Sequence, residues 1–173
     1  MVGKRPDKTD EIARRIQGDL KSGERVVAGV HVQRPGTFSA EMEGAVGGAV
    51  TGAIGGSNPM SFRAEDGEHE GWAGSLAALG VQPSAAGAIK MVLALTDRRL
   101  LLYRASRLGG KPKDLLAEWP VGKVDAIDPP RNNQKLTVTI DGRQLSLETP
   151  QVPKFLPDVY GKLPKLLDGA KTD

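Results

Sequence analysis

Apolar residues recur along this chain with two different periods. Between Thr9 and Lys21 they fall at Ile12, Ile16 and Leu20, the i, i+4, i+8 spacing that predicts a helix. Thr9 or Asp10 is placed to cap its start, Glu11 suits its first turn, and Ser22-Gly23 stops it. From Glu24 to Gln33 the spacing shifts to that of a strand, with Val26, Val30 and Val32 on one parity and Pro35-Gly36 as the closing turn.

Strand periodicity dominates again after Ile89. Met91–Leu95 and Leu100–Tyr103 are apolar runs joined by Thr96-Asp97-Arg98-Arg99, which predicts a hairpin. A short strand over Leu115–Trp119 follows the loop Gly109-Gly-Lys-Pro-Lys113. The next covers Val121–Ile127, with Val124 and Ile127 as its apolar positions. Leu136, Val138 and Ile140 alternate with Thr137 and Thr139; Asp141-Gly142 then predicts a tight hairpin turn, and Leu145 and Leu147 alternate on the return strand. From Pro153 to Leu167 the residues Phe155, Leu156, Val159, Tyr160, Leu163, Leu166 and Leu167 return to helical spacing. Pro157 and Pro164 are expected to kink or split that helix.

Residues 36–88 fit neither period. They are rich in Gly and Ala and contain two 19-residue runs without a charge, Gly44–Phe62 and Gly71–Ile89, separated by the charged segment Arg63–Glu70. Gly44, Gly48, Gly52 and Gly56 recur at every fourth position. On a helix that spacing makes a flat stripe against which another backbone can pack. The run from Gly44 to Gly56 would span only ~20 Å as a helix, short of the ~30 Å hydrocarbon thickness, and Asn58-Pro59 blocks its extension, so no transmembrane helix is expected.

Composition narrows the chemistry. The 173 residues include no cysteine, which excludes disulfides, thiolate metal sites and a cysteine nucleophile. Basic side chains slightly outnumber acidic ones, 24 to 21, but residues 36–90 carry 2 basic and 6 acidic groups while residues 91–173 carry 14 and 10. A basic body is therefore interrupted by an acidic middle. Lys4, Arg5 and Lys8 precede no apolar stretch, so no secretory signal is read and a cytoplasmic location, at most peripheral to the inner face of the membrane, is expected. His31 and His69 lie too far apart in sequence for a local metal motif; no phosphate-binding glycine loop and no nucleophile elbow occur. A non-enzyme with no cofactor and no metal site is the expectation.

One strand before the glycine-rich stretch, six after it and a closing amphipathic helix resemble the bacterial pleckstrin-homology-like (PH-like), GRAM-related domains. The likeness rests on Val92-Leu-Ala-Leu-Thr-Asp-Arg-Arg-Leu-Leu-Leu-Tyr103, on Glu118-Trp-Pro-Val121, and on Leu136 to Leu147 around the Asp-Gly turn. The fold it implies is mainly β with helices (α+β): a seven-stranded bent sheet closed by a C-terminal helix, with an N-terminal helix and a large Gly/Ala-rich insertion after the first strand. The corresponding division is 1–23 for the N-terminal helix, 24–35 and 89–168 for the PH-like domain, 36–88 for the insertion, and 169–173 for a tail. The basic motif through which eukaryotic PH domains hold inositol phosphates has no counterpart, since the first strand ends His31-Val-Gln-Arg34 and the second reads Lys90-Met-Val-Leu-Ala-Leu95.

Two surfaces stand out as candidates. Gly44, Gly48, Gly52 and Gly56 with Trp72, Leu76 and Leu79 form a candidate surface for a protein partner or a second copy of the chain. Arg104, Arg107, Lys111 and Lys113 form a basic loop suited to an anionic phospholipid surface, where each cation contributes ~1 kcal/mol. Nucleic acid is not expected as a partner, because the basic residues are spread over turns and only seven side chains are aromatic. A non-catalytic binding module is the resulting expectation, with protein interaction or self-association as its first form and peripheral membrane association as the alternative.

Overall fold

The computed structural model describes residues 3–37 and 72–172. Its strands are β1 (Val26–Gln33), β2 (Lys90–Thr96), β3 (Arg99–Ala105), β4 (Pro112–Pro120), β5 (Val124–Asp128), β6 (Lys135–Ile140) and β7 (Arg143–Glu148). They form one antiparallel sheet in the order β4-β3-β2-β1-β7-β6-β5, in which β1 and β7 meet only at Gln33 and Glu148. The helices are α1 (Thr9–Arg15), α2 (residues 72–78) and α3 (Val159–Thr172). This is an α+β architecture built on seven antiparallel strands and closed by a C-terminal helix.

The strand pattern has a direct physical origin. Ala28, Val30 and Val32 of β1, Met91, Leu93 and Leu95 of β2, Leu100 and Leu102 of β3, and inward-facing apolar positions of β4 to β7 enter one buried core. Val159, Tyr160, Leu163 and Leu167 of α3 close it. The hairpins are set by their turns: Asp97-Arg98 links β2 to β3, and Asp141-Gly142, both with positive φ (47° and 75°), links β6 to β7. Strands β2 and β3 are covered on both sides. Ile12 and Ile16 of the N-terminal segment pack on Val92, Ala94, Leu101 and Tyr103, on the face turned away from the main core. Gly29 permits this approach, since a Cβ there would lie 2.9 Å from Ile12 Cδ1.

A buried ion pair fastens the same end of the sheet. The Arg99 guanidinium donates from Nε and Nη2 to the two Glu24 carboxylate oxygens at 2.8 and 2.9 Å, from Nη2 to the Asp19 carbonyl at 2.7 Å, and to Glu118. The Thr96 hydroxyl donates to Glu24 at 2.7 Å, and the Glu24 side chain is fully enclosed. Tyr103 completes the group by donating its hydroxyl to Asp19. Burial, then the Asp19 charge, raises the Tyr103 phenol above its ordinary value.

Several expectations from the sequence need correction. Val26 does not share a face with Val30 and Val32: a register shift between Val26 and Ala28 reverses the parity, so Val26 packs with Ile12 and Ile16 instead. The N-terminal helix is shorter than 9–21, ending at Arg15 before a separate 3-10 turn over Gln17–Asp19. Neither Thr9 nor Asp10 caps it; Asp7 accepts the Thr9 N–H at 2.8 Å. The C-terminal segment does split at Pro157, into a 3-10 turn at Pro153–Phe155 and α3, but α3 keeps Pro164 inside and runs on to Thr172, through the tail expected from residue 169.

Residues 72–88, assigned to the insertion, supply Trp72, Leu76, Val81, Ala85 and Ala88 to the main core. This part of the stretch is a layer of the fold rather than an appendage. Gly44, Gly48, Gly52 and Gly56 lie outside the described residues.

Candidate anion-binding hairpin and cleft

The loop between β3 and β4 is tightly closed. Ser106 N–H donates to the Lys111 carbonyl at 2.9 Å, Lys111 N–H donates to Ser106 Oγ at 3.0 Å, and the Ser106 hydroxyl donates to the Leu108 carbonyl at 2.7 Å. Gly109 and Gly110 both take positive φ (83° and 59°), which bends the tip over. The tip is then fixed to β1: His31 Nε2–H donates to the Gly110 carbonyl at 2.9 Å. A Cβ on residue 110 would fall 2.9 Å from that same nitrogen, so only glycine fits this latch.

The latch presents Arg107, Leu108 and Lys111 outward, with Lys113 beside them on β4. All four are exposed, and Leu108 at 90 % is by far the most exposed large apolar side chain among the described residues. Arg107, Lys111 and Lys113 pair with no carboxylate among the described residues. Three cations without a carboxylate partner among the described residues, around one apolar tip, suit an anionic, partly apolar surface.

Arg104 does not belong to this group. It lies within β3, where it donates to the Ser84 carbonyl at 2.8 Å and faces the Asp114 carboxylate at 3.9 Å. Its work is to hold the 3-10 turn at Pro83–Gly87 onto the sheet. Trp72, Leu76 and Leu79 are likewise committed elsewhere: Trp72 and Leu76 are buried and Leu79 packs partly buried against the same core. The Leu79 carbonyl also accepts the Trp119 indole N–H at 3.0 Å. Trp72 and Leu76 therefore present no exposed interaction face, and Leu79 only part of its side chain. Trp119 and Tyr103 are core residues, as their strand positions predict.

Behind the hairpin lies a cleft of about 450 Å³. Its walls come from the N-terminal segment (Arg5, Lys8), β1 (His31), the start of β2 (Lys90), the hairpin (Arg107, Gly110) and the entry to α3 (Leu156, Tyr160). No Asp or Glu among the described residues lines it. Local bonds hold each wall: Arg5 N–H donates to the Phe155 carbonyl at 3.1 Å, Lys4 pairs with Asp158, and Thr9 Oγ1 accepts the Gly29 N–H at 3.1 Å. The Tyr160 hydroxyl donates to the His31 carbonyl, and burial raises that phenol well above its ordinary value. Lys8 is partly neutralised by Glu11 at 2.9 Å; Arg5 and Arg107 have no acidic partner among the described residues.

Leu108 and the cleft were not visible as functional features in the sequence. A lone leucine between Arg107 and a Gly-Gly pair was the one available signal for the tip. The cleft joins residues from positions 5 to 160, a grouping that only the fold creates. Among the described residues no cluster of His, Asp and Glu could hold a metal ion, and no helix is long and apolar enough to cross a membrane. No protein-family model and no curated protein matches this chain.

Proposed function

We propose that this chain is a non-catalytic binding module of PH-like fold that docks reversibly on anionic membrane surfaces through its β3–β4 hairpin. The observation that carries this reading is the latched tip, where Leu108 is 90 % exposed beside Arg107, Lys111 and Lys113, cations that pair with no carboxylate among the described residues. Seven antiparallel strands followed by a closing helix support the PH-like part of the reading. The burial of Trp72 and Leu76 favours the membrane reading over self-association through those residues.

Magnitudes place the interaction in the weak range. Three cations near an anionic surface contribute roughly 3 kcal/mol, and inserting Leu108 adds about 2 kcal/mol. A total near 5 kcal/mol corresponds to a dissociation constant on the order of 0.1 mM, so the contact is reversible and falls with salt. Flotation with phosphatidylglycerol vesicles tests it. The full chain is expected to float at low salt and to be released at high salt, and the triple variant Arg107→Glu, Lys111→Glu, Lys113→Glu is expected to stay at the bottom. Equal flotation of the triple variant would refute the assignment.

A further inference from the structure

We propose that Ser106 is a phosphorylation site, and that a phosphate there releases the β3–β4 hairpin from anionic membranes. The proposal rests on the docking reading above and names how that contact is regulated.

Sequence, geometry and access all single out this serine. It is the one Ser or Thr of the chain with an arginine within two residues on each side, Arg104 and Arg107, the flanks that arginine-directed protein kinases select. Its hydroxyl closes the loop, donating to the Leu108 carbonyl at 2.7 Å and accepting the Lys111 N–H at 3.0 Å. A phosphate on Oγ therefore stands against the backbone of Lys111, one residue from Arg107 and two from Leu108. Access follows from where the loop lies. None of residues 106–111 is buried, so the loop opens by giving up these bonds and the His31–Gly110 latch while the core stays packed.

A nucleoside triphosphate and a protein kinase supply the group. The Ser106 oxygen bonds to the γ-phosphorus, the bond from that phosphorus to the β-phosphate oxygen breaks, and nucleoside diphosphate leaves. The hydroxyl proton passes to the carboxylate base of the kinase.

The consequence is one of charge. Phosphoserine carries about −2 near pH 7, set here among Arg107, Lys111 and Lys113, which pair with no carboxylate among the described residues. Two of the three charges that face the membrane are cancelled. The ester also removes the O–H that the Leu108 carbonyl accepts and puts anionic oxygens beside that carbonyl, which loosens the tip. At about fivefold per cation, losing two weakens binding to anionic vesicles by about 25-fold.

The test treats the full chain with an arginine-directed serine kinase and ATP and maps the phosphate by mass spectrometry. Flotation with phosphatidylglycerol vesicles at low salt follows. Phosphate is expected on Ser106, and the phosphorylated chain is expected to bind about 25-fold more weakly than the untreated one. Phosphatase treatment should restore binding, which separates a charge effect from a damaged fold. Ser106→Ala should float equally before and after kinase treatment, which rules out phosphate at other positions as the cause. Phosphate absent from Ser106, undiminished flotation of the phosphorylated chain, or binding that phosphatase does not restore would each overturn the proposal. An untreated chain that does not float would overturn the docking reading itself. The two failures are told apart because the phosphate is mapped without vesicles.

Discussion

His31, two residues before the end of β1, and Gly110 at the tip of the β3–β4 hairpin are joined by a single hydrogen bond of 2.9 Å from the imidazole Nε2–H to the glycine carbonyl. These residues are 79 positions apart, and their contact fixes both the outward face of the hairpin and the inner wall of the cleft. Gly110 meets two demands at once: a left-handed backbone, φ 59°, and no room for a Cβ beside the ring. Gly110→Ala is therefore expected to release the latch. Left-handed strain and the clash cost about 1–2 kcal/mol, read as a fall in Tm of roughly 3–8 °C. Amide exchange at residues 107–111 should rise several-fold while exchange in β6 and β7 stays the same.

Acid stability should report the Glu24–Arg99 pair. Burial pushes the Glu24 carboxyl up, but hydrogen bonds from Arg99, the Lys21 N–H and the Thr96 hydroxyl outweigh it and hold the group at about 2 instead of 4.5. The folded state thus binds fewer protons than the unfolded chain between those values. The pair's contribution, roughly 3 kcal/mol, is fully present above about pH 5 and is lost as pH falls towards 2. Denaturant unfolding of the full chain and of Glu24→Gln at a series of pH values checks this. Glu24→Gln, which leaves Arg99 buried without its charge partner, should cost about 3–5 kcal/mol at neutral pH and flatten the acid limb.

Leu76 separates a core role from a docking role. At 2 % exposure it is packed under α2 against the sheet, and Leu76→Ala removes methyl groups that the surroundings cannot fully replace. The expected cost is about 2–5 kcal/mol, or a fall in Tm on the order of 10 °C for a chain of this size. Vesicle flotation of the folded variant should be unchanged.

Charge-by-charge neutralisation should grade the membrane contact. Arg107→Gln, Lys111→Gln and Lys113→Gln are each expected to weaken binding to anionic vesicles by roughly fivefold at low salt, about 1 kcal/mol apiece. At high salt the three variants should converge on the parent. Leu108→Ser should instead lower binding at all salt concentrations, because its contribution is apolar.

Strand positions were legible because their signals are local. Leu136, Val138 and Ile140 alternate, Asp141-Gly142 turns the chain, and Leu145 and Leu147 return, all within a dozen residues. The misplaced face of Val26 shows the limit: one register shift moves a side chain to the other side of the sheet without altering composition or spacing. Trp72 and Leu76 illustrate another. Their helical spacing identified an apolar face, but whether that face meets the chain's own sheet or a partner is decided by tertiary packing. Arg104 and Arg107 look equivalent in a basic run, yet the end of β3 falls between them and gives one to Ser84 and Asp114 and the other to solvent.

The most direct test of the membrane reading places a reporter at the tip itself. Trp72 and Trp119 are buried, so a tryptophan introduced by Leu108→Trp supplies the solvent-exposed part of the emission. On adding phosphatidylglycerol vesicles at low salt, that emission should shift to shorter wavelength and become shielded from iodide, with no change on phosphatidylcholine vesicles. An emission that stays red and quenchable while the chain is bound to anionic vesicles would show that another surface makes the contact.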